Sequence, residues 1–253
     1  MKTKNKYIFG LLSLMACCVS FFTYQDFVSE QKRYKKVRTA YSEKENYLSQ
    51  KLREQNLSLQ NLNILIVAYK EEQELEVYVK SKTAKKYQKF LTYDICQNSG
   101  DLGHKNKEGD YQVPEGFYYI NHFNPMSNYF LSLGISYPNL ADKRRNPTSK
   151  TKDLGGAIYL HGDCVTIGCI PITDQYIKEV YVLAVQARNN GQAKIPIYVL
   201  PFRMKKENQD KFYSKYKKLV GFWDNLKIGY EKFEKNKEEL SFQIDEKGNY
   251  VFQ

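Results

Sequence analysis

The sequence predicts a mixed, β-dominated α+β domain with flanking helices, preceded by an N-terminal export segment and a polar helical stretch. Three observations carry that prediction. Short runs rich in Val, Ile, Leu, Tyr and Phe recur between residues 62 and 202, separated by turn residues. Two longer helical patterns come late, at 173–189 and 206–238. Twenty-two Tyr and fourteen Phe in 253 residues suit half-buried pleated surfaces. With 26% charged and 42% hydrophobic residues the composition is globular, and the chain is long enough for a core that needs no disulfide staples.

Lys2, Lys4 and Lys6 precede an apolar stretch from Tyr7 to Phe22, the layout of a secretion signal. Within it, Leu14-Met15-Ala16-Cys17 resembles a bacterial lipobox with Cys17 as the acylated residue, and Cys18 directly after leaves the register open. Residues 1–25 are expected to be a signal peptide or membrane anchor. A lipoprotein, an uncleaved anchor and a simple cleaved signal all export the chain to the periplasm or cell envelope. The net charge is +11, and residues 1–60 hold eleven Lys/Arg against five acids, about half of that excess. A solvated helix face explains this, as does attraction to an anionic membrane surface or wall polymer. No recognition motif interleaves with the basic residues, which argues against a nucleic-acid partner. Residues 26–60 contain no Pro or Gly, and Phe27, Tyr34, Val37, Tyr41, Leu48 and Leu52 are loosely helical in spacing. They are expected to form a helical stalk, or a packing helix, between the membrane and the domain.

A catalytic domain is expected over 61–205, with C-terminal helices and a hairpin, 206–253, packing on it. Leu62 to Tyr69 and Leu75 to Val79 read as a hairpin around Lys70–Glu74, and Lys89 to Cys96 as a third strand. A polar, glycine-bearing loop follows from Gln97 to Asp110; long loops in compact domains are usually functional. It ends at Pro114-Glu115-Gly116 before a strand from Phe117 to Asn121. Tyr129 to Ser136 is a further strand, Tyr137-Pro138-Asn139 a turn, and Asp142 to Lys152 a basic loop. Ala157 to His161 is a strand, and a helix runs from Thr173 to about Asn189, closing near Gly191. Lys194 to Phe202 is a strand split by Pro196, 206–238 is helical, and Leu240 to Phe252 is a hairpin turning at Glu246–Asn249.

The chemistry concentrates in His161-Gly162-Asp163-Cys164-Val165-Thr166-Ile167-Gly168-Cys169, where one of three histidines stands eight positions before a cysteine. A thiolate attacks carbonyls well and is favoured beside an imidazolium, so a Cys–His pair is an acyl-transfer device. Gly168 lets backbone approach a substrate, and the Gly168 and Cys169 amides are oxyanion donors in that reading. Thr166 would orient the His161 ring or hold the loop. The residue types alone leave alternatives. His161, Cys164 and Cys169 with Cys96 could ligate zinc, and Cys96–Cys164 or Cys164–Cys169 could be a disulfide. A catalytically idle binding protein is a further reading. His104 and His122 read as ordinary loop and strand-end residues, with His104 also a candidate for lining a groove.

This stretch, with Pro171-Ile172-Thr173-Asp174 after it, resembles the signature of the L,D-transpeptidase (YkuD-like) catalytic domain family, a His-Gly followed by [Ser/Thr]-x-Gly-Cys. The short spacing, the internal Cys164 and the Thr173-Asp174 pair resemble the YafK-like branch. "DICQNSGDLGHKNKEGDYQVPEGFYYI" at 94–120, "LGISYPNLADK" at 133–143, "VLPFRM" at 199–204 and "FWDNLKIGYEKFE" at 222–234 resemble other family segments in the same order. The resemblance implies an L,D-transpeptidase-type β-sandwich with flanking helices, needing no cofactor or metal. It implies attack by Cys169 on a carbonyl beside diaminopimelate in peptidoglycan stem peptides, with His161 as base and Thr166 and Gly168 as motif residues. Tyr137, Asn139 and Asp142 carry over as pocket candidates; His104 and Gly162 are further substrate-binding candidates. Two departures stand out: Ile167 where many members have His, and Pro171 where many have a carboxylate-binding Arg, for which Arg144 or Arg145 is the expected substitute. The branch includes amidases that detach a wall-linked protein, so hydrolysis stands beside transpeptidation, and the expected partners are stem peptides, a wall-linked protein and, through the N-terminus, the membrane.

Overall fold

The computed structural model describes residues 26–146 and 151–253. The signal segment and the lipobox at Cys17 lie outside the described residues. Among those described, no helix is long and apolar enough to cross a membrane.

The expected hairpin forms from β1 (Asn63–Tyr69) and β2 (Glu74–Lys80), in register from Asn63↔Lys80 to Tyr69↔Glu74. The Leu-, Ile- and Val-rich β1 is buried on both faces, as a strand inside a covered sheet must be. Its alternation assigns the two cores. Ile64, Ile66 and Ala68 enter one, while Leu65, Val67 and Tyr69 enter the other. The remaining strands are β3 (Gln88–Asp94), β4 (Gly116–Asn124), β5 (Ser132–Ile135), β6 (Tyr159–His161), β7 (Ile170–Pro171) and β8 (Ile195–Leu200). They form one sheet in the order β3-β2-β1-β8-β4-β5-β6-β7, antiparallel except at β1–β8 and β6–β7. The fold is mixed α+β, sheet-dominated with flanking helices.

Helix α4 (Thr173–Asn189), after α1 (Phe27–Gln31), α2 (Lys35–Glu54) and α3 (Leu140–Arg145), spans the predicted residues. It is buried almost continuously from Ile177 to Ala187 because the sheet lies on one side and α2 on the other. On α2, Val37, Ala40, Tyr41, Leu48 and Leu52 form one apolar stripe in the core. Lys44–Glu179 at 2.7 Å and Lys178–Glu43 at 2.6 Å flank that stripe. The helices of residues 26–60 pack on the domain as an outer layer.

The basic loop expected from Asp142 onwards begins as helix α3. Asn139 Oδ1 accepts from the Ala141 and Asp142 amides, and Asp142 Oδ2 accepts from the Asn139 amide at 2.8 Å, a closed capping box. The late helical stretch is broken at Tyr216–Leu219 into α5 (Lys206–Lys215) and α6 (Val220–Asn236). With the ribbon of β9 (Phe242–Ile244) and β10 (Tyr250–Phe252), they cover the second core, where Trp223 is fully buried and Phe117 meets Tyr250 edge-on at 4.9 Å.

Candidate active site

The motif occupies the far edge of the sheet. β6 pairs with β5 through Ser132↔His161 and with β7 through Leu160↔Ile170 and His161↔Pro171. The chain therefore leaves β6 at His161, makes a loop and returns beside it at Cys169. Three devices fix that loop. Asp174 Oδ1, in the first turn of α4, accepts from the Asp163 amide at 2.8 Å, and the Thr173 amide donates to the Asp163 carbonyl at 3.1 Å. A Cβ on Gly162 would stand 2.5 Å from Asp174 Oδ1, so this latch needs glycine there. The Cys96–Cys164 disulfide, Cα atoms 5.7 Å apart, ties the loop to the chain leaving β3. Thr166 Oγ1 donates to the Cys169 carbonyl at 2.8 Å and accepts the Gly168 amide at 3.1 Å. Gly168 sits at φ +133°, a backbone region that side chains strain.

The disulfide corrects two readings of the cysteines. Cys96 and Cys164 are bonded to each other, which takes both thiolates out of a zinc site, and Cys164 is not joined to Cys169. Cys169 is free and partly exposed. Its Sγ accepts the Tyr159 amide at 3.4 Å and lies 3.7 Å from the Ala157 carbonyl. Burial pushes the thiol above its ordinary value, with the Tyr159 amide and the Lys105 ammonium acting the other way.

His161 is buried, its ring against Tyr129 with centroids 4.7 Å apart. Its Nδ1 lies 2.5 Å from the Gly162 carbonyl. A carbonyl oxygen only accepts, so the proton belongs on Nδ1, which leaves the Nε2 lone pair as the basic position. Burial lowers the imidazole pKa, opposed by the Gly162 hydrogen bond. No hydrogen bond joins this ring to the sulfur. Both shifts favour the neutral imidazole and the thiol over an imidazolium–thiolate pair.

Cys169 forms part of the wall of a cleft of about 350 Å³, shared with Gly168, Ile167, Lys105, Tyr111 and Gly156. The other predicted pocket residues do not line it. Tyr137 is buried, its hydroxyl donating to the Leu154 carbonyl at 3.1 Å. Asn139 and Asp142 are committed to the α3 cap, and burial raises Asp142 to about 6. The arginines are not the expected substitute cations. Arg144 Nη1 donates to the Ile244 and Asp245 carbonyls, and the Arg145 guanidinium lies 4.4 Å from the Phe222 ring and 5.2 Å from the Tyr250 ring. Neither lines the cleft, because α3 turns both towards the C-terminal hairpin. His104 packs edge-on to Phe222 at 5.1 Å, away from Cys169. Among the described residues, the cation that lines the cleft is Lys105, from the Gln97–Asp110 loop. Sequence reasoning singled out that loop without its lysine, and it missed Tyr111, the Tyr159 amide and the Asp174 latch.

Residues 63–199 match the L,D-transpeptidase catalytic domain (YkuD). The chain is 35% identical over 190 residues to the Escherichia coli K12 protein named "Putative L,D-transpeptidase YafK", covering 74% of this chain and 73% of the relative. Among solved structures, it is similar to the helical cell shape determining protein Pgp2 from Campylobacter jejuni. That similarity has 18% identity, covers 72% of this chain and 73% of the other, and has a TM-score of 0.44. Bd1075 of Bdellovibrio bacteriovorus is 26% identical over 68% of this chain and 62% of the other, with a TM-score of 0.38. The chain belongs to the L,D-transpeptidase catalytic-domain family.

Proposed function

We propose that this protein is a peptidoglycan-modifying cysteine acyl-transfer enzyme that acts on diaminopimelate-containing stem peptides. Family membership and the similarity to YafK support a peptidoglycan-modifying role. The observation that carries the mechanism is the free Cys169 thiol in the cleft wall, on a loop whose other cysteine is bonded elsewhere. In this reading the Cys169 proton passes to His161 Nε2 as sulfur bonds to the peptide carbonyl carbon. The resulting oxyanion takes the Cys169 amide as donor, since the Gly168 amide is held by Thr166. The C–N bond then breaks, the leaving amine takes the proton from His161, and a thioester remains on Cys169. An acceptor amine gives a cross-link or an attached protein; water gives cleavage.

The hydrolytic outcome is kept as a second reading on two departures. Exposed, apolar Ile167 stands at the cleft wall where many family members carry a histidine, and no arginine follows Cys169 by two residues. The N-terminal segment supports an exported, envelope-located enzyme held to the membrane by an anchor or a lipid on Cys17. Purified muropeptides and wall sacculi incubated with wild type beside Cys169→Ala test the proposal. New cross-links identify a transferase, and release of stem residues or attached protein identifies a hydrolase. Binding without turnover overturns both.

A further inference from the structure

We infer that Lys105 is the counter-charge of the Cys169 thiolate, a positioning cation delivered to the cleft by the Gln97–Asp110 loop. The inference rests on the acyl-transfer reading above. Lys105 and Cys169 line one cleft, although 64 positions separate them in the chain. Lysine is rarely buried without partners, yet Lys105 is only 5% exposed. Its Nζ donates to the Lys107 carbonyl at 2.9 Å and to Asp110 Oδ1 at 2.5 Å, and its backbone carbonyl accepts from the Tyr137 hydroxyl at 3.4 Å. Such anchoring gives the ammonium a fixed place.

The need for this charge follows from the site itself. Proton transfer from Cys169 leaves an anion in a half-buried wall, where an uncompensated charge is costly. His161 is buried, which favours its neutral form, and its Nδ1 faces the Gly162 carbonyl. The Tyr159 amide supplies one dipole to the sulfur. Among the described charged groups that line the cleft, Lys105 is cationic and Glu108 anionic; Asp163 acts on His161 and Asp110 pairs with Lys105. Tyr111 and Tyr159 are the remaining titratable neighbours. Coulombic attraction by Lys105 favours the ionised sulfur.

Asp110 sets how much of that charge reaches the thiol. Its carboxylate accepts from Lys105 Nζ and from the amides of Asn106, Lys107 and Gln112. Against burial, these contacts hold Asp110 ionised below its ordinary range. Removing the Asp110 charge should therefore increase the field of Lys105 at Cys169, whereas removing Lys105 should abolish it.

The test is the pH dependence of iodoacetamide alkylation on the full chain, read by mass on the Cys169-containing peptide so that Cys17 and Cys18 do not contribute. Lys105→Gln is expected to raise the Cys169 titration midpoint and slow alkylation at pH 7 about threefold to tenfold, with Lys105→Arg within about twofold of wild type. Asp110→Asn is expected to speed alkylation. A merely structural role would move Lys105→Gln and Asp110→Asn in the same direction. An unchanged midpoint in Lys105→Gln, or equal-signed shifts in the two variants, overturns the inference. Alkylation needs no wall substrate, so opposed shifts without muropeptide turnover support the inference while refuting the proposed function.

Discussion

The backbone amide of Tyr159 points at the sulfur of Cys169, 3.4 Å away. That contact exists because β6 and β7 run parallel, Leu160 opposite Ile170, so that Cys169 returns beside the residue before that pair. The proposed nucleophile is thus held by main chain, and its proposed base, His161, lies two residues beyond Tyr159 on the same strand. Loss of the sheet edge would separate them; changes to loop side chains need not.

The base carries the first prediction. His161→Gln should lower turnover by about 10²- to 10⁴-fold, the usual worth of a general base. Protonated imidazole accepts no proton, and burial holds His161 below its ordinary 6.5. Activity should therefore stay level through neutral pH and fall only as pH drops through that lowered value. A rate profile with its acid limb above 6.5 would contradict the assignment.

The disulfide carries the second. Cys96 and Cys164 are 68 positions apart, and closing a loop of that length is worth about 4 kcal/mol in the chain-entropy account, with about 2–4 kcal/mol usually realised. The Cys96→Ser/Cys164→Ser double variant should unfold at correspondingly lower urea concentration, and reductant should shift the wild type but leave the variant unmoved. Coincident unfolding curves for the two proteins would defeat this prediction.

A buried ion pair carries the third. Lys70 Nζ meets Glu115 Oε1 at 2.9 Å and also donates to the carbonyls of Asp101, Gly103 and Val113. Glu115 in turn accepts the Trp223 indole N–H at 2.9 Å. Lys70→Met leaves a carboxylate buried without its cation and should cost about 3–5 kcal/mol, part of which Lys70→Met/Glu115→Leu should recover. Urea unfolding followed by Trp223 fluorescence measures both; equal stability of Lys70→Met and wild type would be the contrary result.

Strands and long helices were legible in the sequence because burial on two faces writes itself as continuous apolar runs, as in β1, or as a long buried pattern, as in α4. The His161–Cys169 motif was legible for a different reason: its glycines and threonine serve the loop's own local geometry. Helix α3 was also within reach, since Asn139-Leu140-Ala141-Asp142 is a capping-box spacing, but the basic residues after it read as loop. What remained hidden depends on contacts distant in the chain. Nothing local says that Lys105 reaches the Cys169 cleft, that Arg145 is spent on Phe222 and Tyr250, or that α2 folds back onto α4. Those outcomes are set by which face an element presents after the sheet has formed.

The most direct measurement is the mass of the Cys169-containing peptide after brief incubation of the full chain with tetrapeptide muropeptides and rapid acid quenching. The account predicts a stem-peptide acyl group on Cys169 in the wild type, accumulating further when the acceptor amine is withheld, and neither adduct nor turnover in Cys169→Ala. Turnover that persists in Cys169→Ala, or that proceeds in the wild type with the acyl group on another residue, would contradict it.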